Sequence, residues 1–266
     1  MKKLFISADM EGTAGVMHWE ETERQGKDYD FWRMQMSREV AAACQGAVDA
    51  GMEDILVKDA HDSGRNIFPV ELPEQARILR GWAKHPLRMM AGLDETFDGV
   101  VFTGYHSAAE MPTNPLSHTM NLRNNHVKLN GELCSELMIN SLSAAMMGVP
   151  VYCVCGDKGL CEWIQSVNPN IRTVPVSEGI GNASISIHPN VAVRRIRETV
   201  REAVQQPREA CLFPMPKHFH VEINFRQHFD ATGAVWYPGC VKTGARTVAY
   251  DADDYMDVLK FLYWVL

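Results

Sequence analysis

The chain has no apolar run long enough to be a membrane span or the core of a signal peptide. The two N-terminal lysines are followed only by the short run Leu4–Ser7 before Asp9 interrupts it, which is too short for a signal peptide. A membrane helix needs about 18 or more apolar residues, and the apolar C-terminus is interrupted by Asp254, Asp257 and Lys260. We therefore expect a cytoplasmic protein with no membrane partner.

A surplus of positive charge is also lacking. The 266 residues include 26 Lys and Arg against 33 Asp and Glu, a formal net charge of −7. Nucleic acids bind clustered positive charge, so we expect no nucleic-acid partner. The hydrophobic fraction of 46% and the charged fraction of 22% are typical of globular proteins and exclude a disordered chain. At this length we expect one elaborated domain, or one domain with a smaller appendage.

The cysteines lack the pattern of a zinc knuckle or a disulfide framework. Their number is odd, seven, and only Cys153 and Cys155 are closely spaced, whereas a cysteine zinc site needs two close pairs. These two lie in the strand-like run VYCVC, so both side chains should point to the same face of a sheet. Reduced, structural thiols are the simplest interpretation.

Strand and helix signals alternate over the first two thirds of the chain. Short apolar runs that end in polar turns predict strands, and longer runs with helical periodicity predict helices. The sequence Asn130-Gly131 is typical of a hairpin turn. Strand, helix and strand in repetition indicate a mostly parallel α/β sheet flanked by helices. The predicted strands cover 3–7, 55–57, 99–103 and 151–155, and the predicted helices cover 28–50 and 135–147.

The pattern changes after Pro175. Residues 189–204 have the periodicity of an amphipathic helix, residues 218–225 alternate like an antiparallel strand, and residues 253–266 predict a closing helix. We therefore expect a catalytic α/β domain over residues 1–180. A smaller α+β C-terminal domain, or an elaboration of the first, would follow over residues 181–266.

Polar side chains that bind metals follow three of the predicted strands. The carboxyl ends of parallel strands meet in one crevice, so residues just after these strands should share a site. Carboxylate together with imidazole suits zinc or a similar metal, and a spread over several loops suits two metals. The residues concerned are Asp9 and Glu11 after the first strand, Asp59 and His61 after the second, and His106 after the third.

Each of these residues also has an ordinary structural interpretation. Asp9 is placed to cap a helix or to bind Mg²⁺, and Glu11 to be a solvated loop charge. Asp59 fits a turn residue that bonds its own backbone, which is the interpretation we adopt for it. Farther along, Glu132 and Glu136 compete as the next carboxylate ligand, and their spacing does not separate them.

Six sequence blocks in a fixed order resemble a known family, the D-aminopeptidases of the dipeptide-operon type, which are binuclear zinc peptidases. SADMEG resembles the family signature S-x-D-x-E-G, and the later blocks follow at similar spacing over nearly the whole chain. These later blocks are KDAH, GYHS, LSHTM, GELCSEL and PGCVKTGARTV.

The resemblance implies a specific site. Two Zn²⁺ ions per subunit would share one bridging carboxylate, and His118 of LSHTM would be the catalytic side chain. The implied metal ligands are Asp9 as the bridge, Glu11 and His61 at one ion, and His106 and Glu136 at the other. It also implies an α/β sandwich with a smaller C-terminal part, and a ring-shaped homo-oligomer, a decamer. The loops 110–115 and 121–129 depart from the family and are expected to line the pocket.

Three functions compete at this point. The first is a zinc aminopeptidase that releases an N-terminal residue, a D-amino acid such as D-alanine, from short peptides. The second is a Mg²⁺- or Mn²⁺-dependent phosphohydrolase on a similar α/β fold, suggested by Asp9 after the first strand; no G-x-x-x-x-G-K-[ST] loop accompanies it. The third is a non-catalytic peptide-binding protein. Metal content and the released product would separate them.

Overall fold

The computed structural model describes residues 1–266 and contains one mostly parallel and one antiparallel sheet. In chain order the elements are β1 (Lys3–Ala8), α1 (Trp19–Thr22), α2 (Tyr29–Asp49), β2 (Asp54–Asp59), β3 (Ala76–Leu79), β4 (Gly99–Tyr105), β5 (Asn124–Leu129), β6 (Glu132–Leu133), α3 (Glu136–Met146), β7 (Val151–Asp157), α4 (Lys158–Val167), β8 (Arg172–Ile180), β9 (Ala183–Ser186), α5 (Pro189–Ala203), β10 (Phe219–Phe225), α6 (His228–Ala234), β11 (Val241–Lys242), β12 (Thr247–Ala252) and α7 (Tyr255–Val265).

The large sheet has seven strands in the order β3-β2-β1-β4-β7-β8-β9, and only the edge pair β8 and β9 is antiparallel. Its central strand β1 pairs with β2 on one side and β4 on the other. The carboxyl ends of these three strands therefore lie side by side. The predicted fold class, a mostly parallel sheet with flanking helices, is confirmed.

Both faces of the large sheet are covered, which explains why its strands are continuous apolar runs rather than alternating ones. Leu4 and Ile6 of β1 face a core that includes Val40 of α2 and Ile196 of α5. Phe5 points the other way, into a core shared with α3, α4, α7 and the small sheet. Cys153 and Cys155 do share one face, with their sulfur atoms 3.9 Å apart, and all seven cysteines are free and buried.

The small antiparallel sheet has the order β11-β12-β10-β5-β6. The predicted Asn130-Gly131 turn joins β5 to β6, and both residues have the positive φ that a type I′ turn requires, 51° and 88°. Both sheets contain strands from before and after residue 180: β9 of the large sheet follows it, and β5 and β6 of the small sheet precede it. The division into residues 1–180 and 181–266 stays a prediction. No helix is both long and apolar enough to cross a membrane.

Candidate metal centre

The loop after β1 carries Asp9 and Glu11 and is held directly against β4. The backbone N–H of Asp9 donates to the carbonyl of Thr103 at 2.9 Å, and that of Gly12 donates to the carbonyl of Gly104 at 2.8 Å. A Cβ on Gly12 would lie 1.8 Å from the carbonyl oxygen of Tyr105, so only glycine permits this approach. The glycine of the S-x-D-x-E-G block therefore fixes where the Glu11 carboxylate stands.

Asp59 holds the loop that presents His61. Its carboxylate accepts hydrogen bonds from the backbone N–H groups of Asn66 at 2.6 Å and Ile67 at 2.9 Å. It also accepts from the side-chain amide of Asn66 at 2.7 Å, and that amide in turn donates to the carbonyl of His61 at 2.7 Å. Asp59 is thus the buried last residue of β2, and it bonds Asn66 and Ile67 rather than its own turn as predicted. It is not one of the clustered ligand side chains, as expected.

Asp157, at the end of β7, performs the equivalent task for His106. Its carboxylate accepts from the backbone N–H of Ser107 at 2.6 Å and from the Ser107 hydroxyl at 2.7 Å. It also caps α4 by accepting from the N–H of Leu160 at 2.9 Å. One buried carboxylate therefore fixes both the start of a helix and the residue next to His106. Sequence reasoning did not assign this role to Asp157.

Glu136 and His118 complete the cluster from outside the strand ends. Glu136 is the first residue of α3, behind the N-cap Ser135, and its Oε1 accepts from the N–H of Met120 at 2.7 Å. The His118 ring stacks on that of His106, with centroids 4.2 Å apart and planes 12° apart. The competing residue Glu132 is exposed on β6, so the structure brings Glu136, and not Glu132, to the other residues.

The distances group these side chains around one shared carboxylate. Nδ1 of His61 lies 3.3 Å from Asp9 Oδ1 and 3.1 Å from Glu11 Oε2. Nε2 of His106 lies 3.6 Å from the other Asp9 oxygen, Oδ2, and 3.7 Å from Glu136 Oε1. The two oxygens of Asp9 thus face two different imidazoles, each accompanied by a further glutamate.

In each of the two imidazole rings, the nitrogen on the side away from the carboxylates lies against a backbone carbonyl. His61 Nε2 lies 2.9 Å from the carbonyl of Thr22, and His106 Nδ1 lies 3.0 Å from the carbonyl of Ser107. A carbonyl only accepts, so these nitrogens carry the protons in the neutral rings. The opposite nitrogens, His61 Nδ1 and His106 Nε2, face carboxylate oxygens. These carboxylates outweigh burial and raise the pKa of both imidazoles, that of His106 to about 9, so a cation, either a proton or a metal ion, is favoured between each ring and its carboxylates. This backbone-carbonyl–histidine arrangement is the usual support of metal-ligating histidines.

An imidazole nitrogen and a carboxylate oxygen that face each other need a cation, a proton or a metal ion, between them. Asp9 Oδ2, Glu11 Oε2 and His106 Nε2 are buried and have no hydrogen-bond partner. Two ligand atoms about 2.1 Å from a tetrahedral zinc ion lie about 3.4 Å apart, close to the separations within this cluster. Three groups of side chains have ligand atoms close enough to share one ion: Asp9–Glu11–His61, Asp9–His106–Glu136 and Glu11–His106–His118. The donor set therefore fits zinc.

Protonation is distributed unevenly in the cluster. Burial and the neighbouring Glu11 carboxylate raise the pKa of Asp9 to about 8. Burial works against ionisation of Glu11 too, but the imidazole of His61 outweighs it and holds the pKa of Glu11 well below its usual value. Burial and the adjacent His106 lower the pKa of His118 below that of an ordinary histidine. His118 is therefore neutral at pH 7.

The cluster forms the floor of a cavity of about 640 Å³, which suits a small ligand. Leu122 is the only residue of the loops 110–115 and 121–129 in its wall, so the expectation that both loops line the pocket is wrong for 110–115. Asn114 of that loop lies behind the site and donates to the carbonyl of Glu11 at 3.2 Å. The wall is instead built by residues that sequence reasoning did not single out: Trp19, Trp82, Lys84, His85, Arg88, Tyr263 and Trp264.

The fold and this cluster together define an α/β protein with the candidate metal centre of a hydrolase. The family model described as D-aminopeptidase matches residues 1–264. A D-aminopeptidase of Bacillus subtilis (strain 168) is 30% identical over 260 residues, which cover 97% of this chain and 94% of that protein. The chain belongs to the D-aminopeptidase family and is a peptidase, so the resemblance drawn from the sequence blocks is confirmed.

A solved structure agrees over the whole chain. It is that of the zinc-dependent D-aminopeptidase DppA from Bacillus subtilis, described as a self-compartmentalizing protease. The TM-score is 0.91 at 29% sequence identity, and the match covers 99% of this chain and 96% of that chain. The similarity therefore includes both sheets and the elements that position the cluster.

Proposed function

We propose that this chain is a zinc-dependent aminopeptidase that releases an N-terminal D-amino acid from short peptides. Family membership supports the peptidase chemistry, and the zinc dependence of the similar Bacillus enzyme supports the metal. One observation of the structure carries the proposal: the buried ring nitrogens of His61 and His106 face carboxylate oxygens at 3.1–3.7 Å, with one aspartate shared between them. This arrangement favours bound cations and matches the donor set of zinc. A phosphohydrolase or a passive peptide-binding protein has no comparable support.

We assign the ligands to two zinc ions. Asp9 would be shared by both ions, because its two oxygens face different histidines; Glu11 and His61 would hold one ion, and His106 and Glu136 would hold the other. When bound, zinc supplies Lewis-acid chemistry, since it polarises a carbonyl and lowers the pKa of water. The free, unprotonated α-amine of a peptide carries a lone pair that suits such a metal centre, which would place the N-terminal residue at the site.

His118 is the catalytic side chain in this proposal. Its Nδ1 lies 2.9 Å from the carbonyl of Leu116, so the proton is on Nδ1 and the Nε2 lone pair is free. Nε2 lies 3.5 Å from Glu136 Oε1 and 3.9 Å from Glu11 Oε1, at the cavity floor. A neutral imidazole there can take a proton from the water that attacks the peptide carbonyl and then give that proton to the leaving amine.

We further propose a cytoplasmic homo-oligomer, a decamer by resemblance to the family. The similar Bacillus enzyme is described as self-compartmentalizing. Large apolar side chains are exposed around a second, shallow pocket, with Phe229 60%, Trp236 86% and Trp264 73% accessible. Exposed aromatic side chains grouped in this way are typical of a protein–protein contact. Trp264 also lines the cavity, so a neighbouring subunit on this surface would restrict entry to short peptides.

The direct test is hydrolysis of dipeptide pairs that differ only in the configuration of the first residue. Zinc-loaded protein should cleave D-Ala-Gly faster than L-Ala-Gly, and N-acetylation of the α-amine should abolish cleavage. A clear preference for L-Ala-Gly would refute the substrate assignment. Release of phosphate from p-nitrophenyl phosphate with no peptide cleavage would refute the peptidase assignment.

A further inference from the structure

Arg88 is a half-buried cation in the cavity wall whose side chain forms no ion pair or hydrogen bond with the protein. It lines the cavity together with His118 and Glu136. Its Nη1 atom is buried and has no hydrogen-bond partner. The carboxylate of Glu136 acts on Arg88 only through space, as it opposes the burial that lowers the arginine pKa. An arginine carries five N–H donors, and a buried donor of a charged group that lacks a partner is destabilising.

The backbone of Arg88 is held in a conformation that arginine seldom adopts. Its φ is +46°, in the left-handed region. The flanking residues Leu87, Met89 and Met90 are buried, and the Met89 carbonyl accepts the Ser7 hydroxyl at 2.9 Å. A short helical turn anchored in the core therefore fixes the position of Arg88. Backbone strain at a non-glycine residue is characteristic of ligand-binding positions.

The missing partner is best matched by a carboxylate. A guanidinium and a carboxylate form two parallel hydrogen bonds, and Tyr263 packs beside the guanidinium carbon with its ring centre 5.6 Å away. The proposed metal centre suits the free α-amine of a peptide, whereas Arg88 attracts the acid end. The only other permanent cation in the wall is Lys84, which is solvent-exposed. Water weakens its attraction for a carboxylate, so it discriminates less between substrates with and without a free acid.

We propose that Arg88 binds the C-terminal carboxylate of the peptide substrate, so that the enzyme recognises both ends of a very short peptide. This inference rests on the proposed aminopeptidase function. It assigns the chain to dipeptides and similarly short substrates with a free carboxylate. Peptide amides lack this carboxylate, and a long peptide carries it many residues away from the scissile bond.

The test compares D-Ala-D-Ala with its C-terminal amide. Wild-type enzyme should show a kcat/KM about 10- to 100-fold higher for the free acid, the usual effect of a charge-assisted hydrogen-bonded pair. Arg88→Met should bring the two values close together by slowing cleavage of the acid, and Arg88→Lys should retain part of the preference. Lys84→Met, at the exposed position on the same wall, is the matched control and should keep the wild-type preference.

A binding measurement separates this inference from the proposed function. The probe is a dipeptide analogue whose amide carbonyl is reduced to CH₂, as free acid and as amide, titrated into wild-type protein by calorimetry. Tighter binding of the acid supports the role of Arg88, even if wild-type protein cleaves no peptide, which would refute the aminopeptidase alone. Equal wild-type affinity for acid and amide overturns the inference. Loss of the preference for the acid in Lys84→Met, together with a wild-type preference in Arg88→Met, also overturns it.

Discussion

Replacement of His118 by alanine is the most informative change at the active site, because this ring lies close enough to the proposed metal ligands to be either a further ligand or the catalytic group. Its Nε2 lies 3.5 Å from Glu136 and 3.9 Å from Glu11, so its ligand atom is close enough to share an ion with Glu11 and His106. The proposed ligand set is complete without it. His118→Ala should therefore keep both zinc ions and lose turnover.

The expected loss follows from the protonation state of the ring. Burial and the stacked His106 lower its pKa, and the Leu116 carbonyl keeps the proton on Nδ1, so Nε2 is a free base at pH 7. Removal of a positioned general base typically lowers kcat by about 10²- to 10⁴-fold. This corresponds to about 3 to 5 kcal/mol of transition-state stabilisation. KM should change far less, because the groups that bind the peptide remain.

The assay needs a histidine of similar burial as its control. His126 fits, since its side chain is 15% exposed against 13% for His118, and it also lies between two carboxylates, Glu110 and Glu222, outside the cavity. His126→Ala should keep wild-type kcat, and both variants should keep two zinc ions by elemental analysis and a native melting profile. If His118→Ala loses zinc, His118 is a ligand; if its kcat is near normal, His118 is structural.

Two further predictions concern metal occupancy and stability. Asp9→Asn should lower occupancy of both zinc positions, whereas Glu136→Gln should lower occupancy of one, because only Asp9 faces both histidines. Glu132→Gln, on the exposed strand β6, is the control. Zinc loss in Glu132→Gln and not in Glu136→Gln would contradict the assignment. Burial raises the pKa of Glu39 from 4.5 to about 7. The folded state therefore binds the extra proton between these values, so the contribution of Glu39 to stability is fully present below pH 4.5 and lost as the pH rises through 7. In urea titrations the unfolding free energy of Glu39→Gln minus that of wild type should rise by up to about 3 kcal/mol over this range, and a flat difference would contradict the raised pKa.

The sequence predicts the parallel core well because buried strands and long helices have strong signals. The runs around Ile55 and Val151 are continuous and apolar, and the helix predicted over 28–50 is observed as Tyr29–Asp49. Shorter or more polar elements escape such reasoning. The edge strand β3 (Ala76–Leu79) is partly exposed, and β8 (Arg172–Ile180) contains a proline and two charged residues, so neither shows a clear apolar pattern.

The site residues also differ in how far the sequence alone predicts them. Asp9, His61 and His106 could be predicted from strand ends, because the topology of a parallel sheet alone brings them together. Glu136 comes from a helix start, and the sequence alone could not separate it from Glu132. His118 comes from a loop, and only the family resemblance pointed to it. The Arg88 side chain had no signal in the sequence, since its role depends on a buried turn and on partners it lacks.

The number of zinc ions per chain tests the central claim most directly. Protein purified without chelators should contain two zinc ions per chain by elemental analysis, because Asp9 presents one oxygen to each of two buried histidine–glutamate pairs. Removal of zinc should abolish D-Ala-Gly cleavage, and activity should return as two equivalents of zinc are added back. Full activity with a single ion per chain, or with none, would contradict the binuclear site.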